Sequence, residues 1–173
     1  MWINVSQLLK APIGSIRDYE ADGIIDVTGN DSRVQGEVRL IRTDRGILVK
    51  GELHTEVEVT CSRCLSPFSC PLKLNIEEEY FPIMDVVSGV SLPLPDEPSY
   101  FLIDARHVLD LTEAMRQYAL LAIPMKPICR EDCAGLCPDC GHNLNEGACN
   151  CPPQETNPRW AKLRKLVLTN DEQ

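Results

Sequence analysis

Residues 47–80 read ILVKGELHTEVEVTCSRCLSPFSCPLKLNIEEEY. Ile47, Val49, Leu53, Val57 and Val59 share one face of an extended chain, with Gly51 and Thr55 between them. Lys50, Glu52, His54, Glu56 and Glu58 take the other face. After Cys61-Ser62-Arg63-Cys64 the alternation resumes. Phe68, Cys70, Leu72, Leu74 and Ile76 point one way, and Ser69, Lys73, Asn75 and Glu77 the other. A period of two residues on both sides of a short turn predicts an antiparallel hairpin from about Ile47 to Tyr80 with one wet face. Its tip carries a Cys-x-x-Cys pair. Cys70 falls on the apolar face and reads as a small buried hydrophobe. Glu77, Glu78 and Glu79 read as a solvated strand end rather than a catalytic acid cluster.

Toward the N-terminus, Val34, Gly36, Val38 and Leu40 alternate with Gln35, Glu37, Arg39 and Ile41, a second half-buried strand. Thr43-Asp44-Arg45-Gly46 is a turn. Residues 15–33 are polar and weakly patterned, and a loop is expected there with a strand near Gly23–Val27. Trp2 to Val5 reads as a short strand and Val5–Leu9 as a brief helical turn, broken by Pro12 and Gly14.

Toward the C-terminus, Pro93, Pro95 and Pro98 with Asp85, Asp96 and Glu97 predict an acidic linker over residues 84–99. A short strand follows at Tyr100–Ile103. Asp110 and Glu113 have capping-box spacing before a helix at about Leu111–Ile123. Its apolar stripe is Leu111, Ala114, Met115, Tyr118, Leu121 and Ala122, and Pro124 and Pro127 end it. The expected class is α+β: an antiparallel β-sheet with a long hairpin, one packed helix and a C-terminal zinc-binding cysteine-rich module. The expected division is residues 1–127 for the sheet and helix, and 128–173 for the cysteine-rich module with a short basic helix.

Six of the nine cysteines lie in residues 129–151, CREDCAGLCPDCGHNLNEGACNC. Cys-Pro-Asp-Cys-Gly at 137–141 is a common zinc turn: backbone N–H groups face the sulfurs and the glycine takes a left-handed φ. Other thiol chemistries remain open. Disulfides need an oxidising compartment, four thiolates also suit iron–sulfur, and a Cys-x-x-Cys pair can be redox-active. Structural zinc takes four ligands, so cysteine arithmetic matters. Cys137, Cys140, Cys149 and Cys151 are close enough in sequence for one local site. The remaining pairs, Cys61 with Cys64 and Cys129 with Cys133, complete a second site if the helix ending at Pro124 returns the chain to the hairpin tip. Two zinc ions are therefore expected. In competing arrangements Cys133 and Cys137 replace Cys149 and Cys151, or Cys61 and Cys64 stay metal-free. His142 beside Cys140 reads as a surface residue.

The 173-residue chain carries a net charge of −9. Diffuse attraction to nucleic acid is excluded, so any RNA contact needs a local basic patch. One candidate is a short C-terminal helix opened by Asn157-Pro158, with Trp160, Leu163, Leu166 and Val167 as its stripe and Arg159, Lys162, Arg164 and Lys165 around it. It reads either as a solvated face or as a contact for RNA or an acidic partner. No apolar run is long enough for a membrane span and the N-terminus lacks a secretory pattern, so a cytoplasmic location with reduced thiols is expected. His54, His107 and His142 are scattered, and no nucleophile–base arrangement or phosphate-cradling glycine loop is present. The expectation is a non-enzymatic protein without a small-molecule substrate.

Four segments, taken in order, resemble the YceD family, described as large-subunit ribosomal RNA accumulation proteins. They are Val5-Ser6-Gln7-Leu8-Leu9, Cys61-Ser62-Arg63-Cys64-Leu65, Leu120-Leu121-Ala122-Ile123-Pro124, and Asn157-Pro158-Arg159-Trp160-Ala161-Lys162-Leu163. Gly135-Leu136-Cys137-Pro138-Asp139-Cys140-Gly141 resembles the cysteine-rich branch of that family; other members lack most of those cysteines but keep the Cys-x-x-Cys of the hairpin. The resemblance implies a role in synthesis, processing or accumulation of 23S ribosomal RNA, with pre-ribosomal RNA or a large-subunit ribosomal protein as partner. It supplies no catalytic residues. The alternative is a redox-sensitive zinc thiol protein, a chaperone or an oxidoreductase.

Overall fold

The computed structural model describes residues 1–93 and 101–152. Their elements are β1 Trp2–Asn4, α1 Ser6–Leu9, β2 Ile16–Asp26, β3 Asp31–Arg42, β4 Ile47–Thr60, β5 Pro67–Pro82, β6 Phe101–Ile103, β7 Val108–Asp110 and α2 Thr112–Ala122. The chain forms two compact units, Met1–Cys133 and Ala134–Gln173, the second described as far as residue 152. Most of the acidic linker and the whole basic C-terminal helix expected from the sequence lie outside the described residues.

The β4–β5 hairpin follows the alternation. Val57 faces Cys70, Leu53 faces Leu74, Gly51 faces Ile76 and Ile47 faces Tyr80. The apolar members are buried while Lys50, Glu52, His54, Glu56, Lys73 and Asn75 are exposed. Cys70 belongs to the core. Tyr80 is the largest fully buried side chain, and its hydroxyl donates to the Asp110 carbonyl at 3.2 Å.

The seven strands make one sheet in the order β1-β7-β6-β5-β4-β3-β2. The expectation of a purely antiparallel sheet is corrected at one pair, because β5 and β6 run parallel, with Tyr80 opposite Phe101. A parallel neighbour requires a long return path, and residues 83–100 supply it. The strand expected near Gly23–Val27 is also longer than the sequence suggested, because residues 16–22, expected as loop, belong to it: β2 pairs with β3 along its whole length, Ile16 opposite Ile41 through Asp26 opposite Asp31.

Helix α2 packs on β5 and β2. Ala114, Met115 and Ala119 are buried, and the Tyr118 hydroxyl accepts from Glu77 N–H at 3.3 Å. Leu121, expected in the apolar stripe, is 82% exposed. Six residues on from Met115, it stands about 120° round the helix from the buried line. The capping box does not form either. Asp110 accepts from Thr112 N–H at 2.9 Å, but Glu113 turns forward to Arg116 and Gln117. Among the described residues no helix is long and apolar enough to cross a membrane.

Gly36 of β3 lies opposite Leu53 of β4, where the strands approach closely. A Cβ at Gly36 would stand 2.2 Å from the Glu52 carbonyl oxygen and 2.9 Å from Leu53 Cα. Both obstacles are backbone. Gly36→Ala is therefore expected to cost about 2–3 kcal/mol by forcing the β3–β4 ladder apart. Urea unfolding measures it, and an unchanged midpoint would mean the ladder yields freely.

Candidate metal centres

The β4–β5 connection brings Cys61 and Cys64 to the hairpin tip. Leu65 N–H donates to the Cys61 carbonyl at 2.9 Å and Cys61 N–H to the Ser66 carbonyl at 2.9 Å, closing a knuckle. The chain leaving α2 docks there. Ser62 N–H donates to the Pro127 carbonyl at 2.8 Å, and Arg63 donates to the carbonyls of Glu131 and Cys133, each at 3.2 Å. Cys129 and Cys133 thereby meet the hairpin: Cys61 Sγ is 3.9 Å from Cys133 Sγ, and Cys64 Sγ is 3.8 Å from Cys129 Sγ. All four sulfurs lie within 4.8 Å of one another.

The second group forms within the second unit. Gly141 N–H donates to the Cys137 carbonyl at 2.9 Å, and Cys137 N–H to the His142 carbonyl at 2.8 Å. Leu144 N–H donates to Gly135 at 2.9 Å, closing a small bridge of Leu136 with Asn143. The sulfurs of Cys137, Cys140, Cys149 and Cys151 again lie within 4.8 Å of one another. Cys149 and Cys151 reach this site from irregular chain rather than from a strand. His142 is exposed and stands outside the four-sulfur group.

The donor chemistry suits one metal ion per group. A tetrahedral ion with metal–sulfur bonds of about 2.3 Å holds its sulfurs about 3.8 Å apart. A disulfide needs about 2.05 Å. A polynuclear iron–sulfur cluster would spread its ligands over several metal atoms.

Electrostatics point the same way. In the first group, backbone N–H groups, that of Cys64 foremost, hold the Cys61 thiol down at about 6, while burial pushes Cys129 up to about 12. In the second, the N–H groups of Cys140 and Asp139 hold Cys137 down at about 6, and contact with the Cys140 thiol, helped by burial, pushes Cys151 up to about 12. One thiolate in each cage forms readily and makes the next ionisation harder. A bound dication removes that penalty.

The two knuckles differ at one backbone position. Gly141 has φ +74° and Leu65 has φ +59°, so a leucine occupies the left-handed place that glycine fills in its twin. Leu65 is 62% exposed. Neither the Leu65 conformation nor the part Arg63 plays was foreseen, although an arginine between two cysteines was visible.

Residues 49–167 match the family model described as "Large ribosomal RNA subunit accumulation protein YceD". The chain is a member of the YceD family. An uncharacterized protein of Mycobacterium tuberculosis is 29% identical over 131 residues, which is 76% of this chain and 60% of that protein. Two plant relatives carry the name large ribosomal RNA subunit accumulation protein YCED homolog 1, chloroplastic. The one from Zea mays is 28% identical over 78% of this chain and 54% of its own length. The one from Arabidopsis thaliana is 27% identical over 77% of this chain and 48% of its own length. The chain thus spans about half to three fifths of the YceD relatives it matches. No solved structure matches it.

Proposed function

We propose that this chain is a non-enzymatic zinc-binding factor that supports synthesis, processing or accumulation of the large-subunit ribosomal RNA. The observation that carries this reading is the gathering of eight of the nine cysteines into two ion-sized sulfur cages, on a chain whose family is described by ribosomal RNA accumulation. Zinc suits both cages because it favours four thiolates and adds no redox chemistry. The ligands would be Cys61, Cys64, Cys129 and Cys133 for one ion, and Cys137, Cys140, Cys149 and Cys151 for the other. Reduced thiols agree with a cytoplasmic location. Thiols engaged on zinc are poor redox pairs, which disfavours an oxidoreductase; metal release with disulfide formation under mild peroxide would reverse that preference.

The partner in this reading is pre-ribosomal RNA or a large-subunit ribosomal protein, met in part by Arg159, Lys162, Arg164 and Lys165. Depleting the protein in cells should lower mature 23S RNA relative to 16S, and crosslinking of tagged protein should enrich 23S precursors or large-subunit proteins. Reversing Arg164 and Lys165 to glutamate should weaken particle association without unfolding the protein. An unchanged 23S to 16S ratio after depletion would reject the reading.

A further inference from the structure

Strand β2 closes one side of the sheet, and among the described residues it pairs only with β3. Its backbone parity is fixed by the Arg42 N–H, which donates to the Ser15 carbonyl at 2.9 Å. In an antiparallel pair the hydrogen-bonded and non-hydrogen-bonded positions alternate. The backbone groups of Arg17, Tyr19 and Ala21 therefore point at β3, and those of Ile16, Asp18, Glu20 and Asp22 point away from the sheet. At Gly23 the core-facing side lies in ordinary van der Waals reach of Met1 and Met115, as a Cβ there would stand 3.8 and 4.0 Å from them. Upstream, residues 16, 17, 18, 20 and 22 are all exposed. The open stretch Ile16–Asp22 is about 24 Å long, enough for a full added strand.

An open edge of this length pairs with another strand unless something prevents it. Charge decides which strand. Asp18, Glu20 and Asp22 project on the solvent face beside the edge. Asp18 is paired with Arg39 and Asp22 with Arg33. Glu20 lies directly opposite Glu37, and Glu37 opposite Glu52. Lys73 serves Glu52 at 2.8 Å. Arg39, already paired with Asp18, is close enough to attract Glu37, but neither Glu20 nor Glu37 has a direct ion pair among the described residues. Like charges facing across strands are unfavourable. A second copy of β2 would bring three more carboxylates to the same place, and RNA would bring phosphates. A strand with lysine or arginine opposite Glu20 relieves the repulsion.

We propose that the Ile16–Asp22 edge binds an extended, cationic polypeptide segment as an added antiparallel or parallel strand, with backbone hydrogen bonds for affinity and Glu20 and Glu37 for charge selection. This stretch shares no residue with either cysteine group.

The test uses the full chain and a nine-residue capped peptide that alternates lysine and threonine. Fluorescence anisotropy should show binding that weakens as salt rises. A version with alternate amides N-methylated should bind about tenfold more weakly, because it cannot donate along the edge. Glu20→Pro removes one outward N–H and leaves the β2–β3 ladder intact, a position where sheets tolerate proline; measured against Glu20→Gln, which lacks the same carboxylate, it too should cost about tenfold. The double change Glu20→Lys with Glu37→Lys keeps the edge and should abolish the preference for the lysine peptide over a glutamate–threonine one. Equal binding of the methylated peptide, no binding of the lysine peptide at all, or undiminished binding by a folded Glu20→Pro chain would each overturn the proposal. So would a single-stranded RNA oligonucleotide that binds wild type and is lost in Glu20→Pro, or a dimer in sedimentation that Glu20→Pro dissolves.

Discussion

Changing Cys61 and Cys64 together to serine is expected to lower bound metal from two ions per chain to one and to loosen the chain after α2 from the hairpin tip. Hydroxyls do not ionise at neutral pH, so the first cage loses two of its four anionic ligands. What would remain at the tip is Ser62 N–H on Pro127 and two Arg63 contacts to the carbonyls of Glu131 and Cys133. These bonds are few and partly exposed, each contributing about 1 kcal/mol net. A metal bound there would join Cys64 to Cys129 across a separation of 65 positions. Treated as a cross-link, closing a loop of that size stabilises the fold by about 4 kcal/mol. Melting of the first unit should therefore fall by roughly 10 °C or more. Metal analysis on anaerobically purified protein and a thermal melt measure both effects. A single ion that survives the double change would eliminate the clip and leave only the local site.

The hairpin was legible because each strand buries one face and wets the other over a long run. Glu52, His54 and Glu56 could not share a face with Leu53 and Val57. Strand β2 was not legible for the opposite reason. At the sheet edge only Ala21 and Ile25 are buried in IRDYEADGIID, so no alternation marks it. The short strand expected at Tyr100–Ile103 is β6, Phe101–Ile103, but its parallel pairing depends on a partner far away in sequence, and β7 has three residues, too few to display a period. The division of cysteines could be reached by arithmetic because tetrahedral sites need four ligands and the spacing left two pairs over. Arg63 could not be read in the same way. Its role exists only because Glu131 and Cys133 present their carbonyls to it, across separations of 68 and 70 positions. Asp110 and Glu113 illustrate a local signal overruled by a local competitor, since Arg116 one turn on captures the carboxylate meant for the cap.

Stripping metal from the second cage is expected to unfold residues 134–152 while β4 and β5 stay folded. Within that stretch only Gly135 and Cys137 are buried; Leu136, Asn143, Leu144, Asn145, Cys149 and Cys151 are half-buried, and the rest is exposed. Fixing the backbone costs about 1–2 kcal/mol per residue, and the few backbone bonds there offset only a small part of it. A four-thiolate zinc site contributes on the order of 10–16 kcal/mol in zinc-finger peptides, far more than any single hydrogen bond in this stretch. Under a strong chelator the amides of Cys137, Gly141 and Leu144 should lose their hydrogen-exchange protection, and those of Leu53 and Leu74 should keep theirs. Acid should act in the same direction. The Cys137 thiol is held down at about 6 by backbone N–H groups, so its thiolate persists below the ordinary range near 9. Protons compete with the metal for these thiolates, so the stabilisation present at neutral pH should be lost as pH falls into the acid range. Cys151, pushed up to about 12, is protonated at neutral pH without metal, so metal uptake at pH 7 should release protons into weak buffer. If residues 134–152 remain protected after chelation, with metal analysis confirming its removal, the metal is not what folds them.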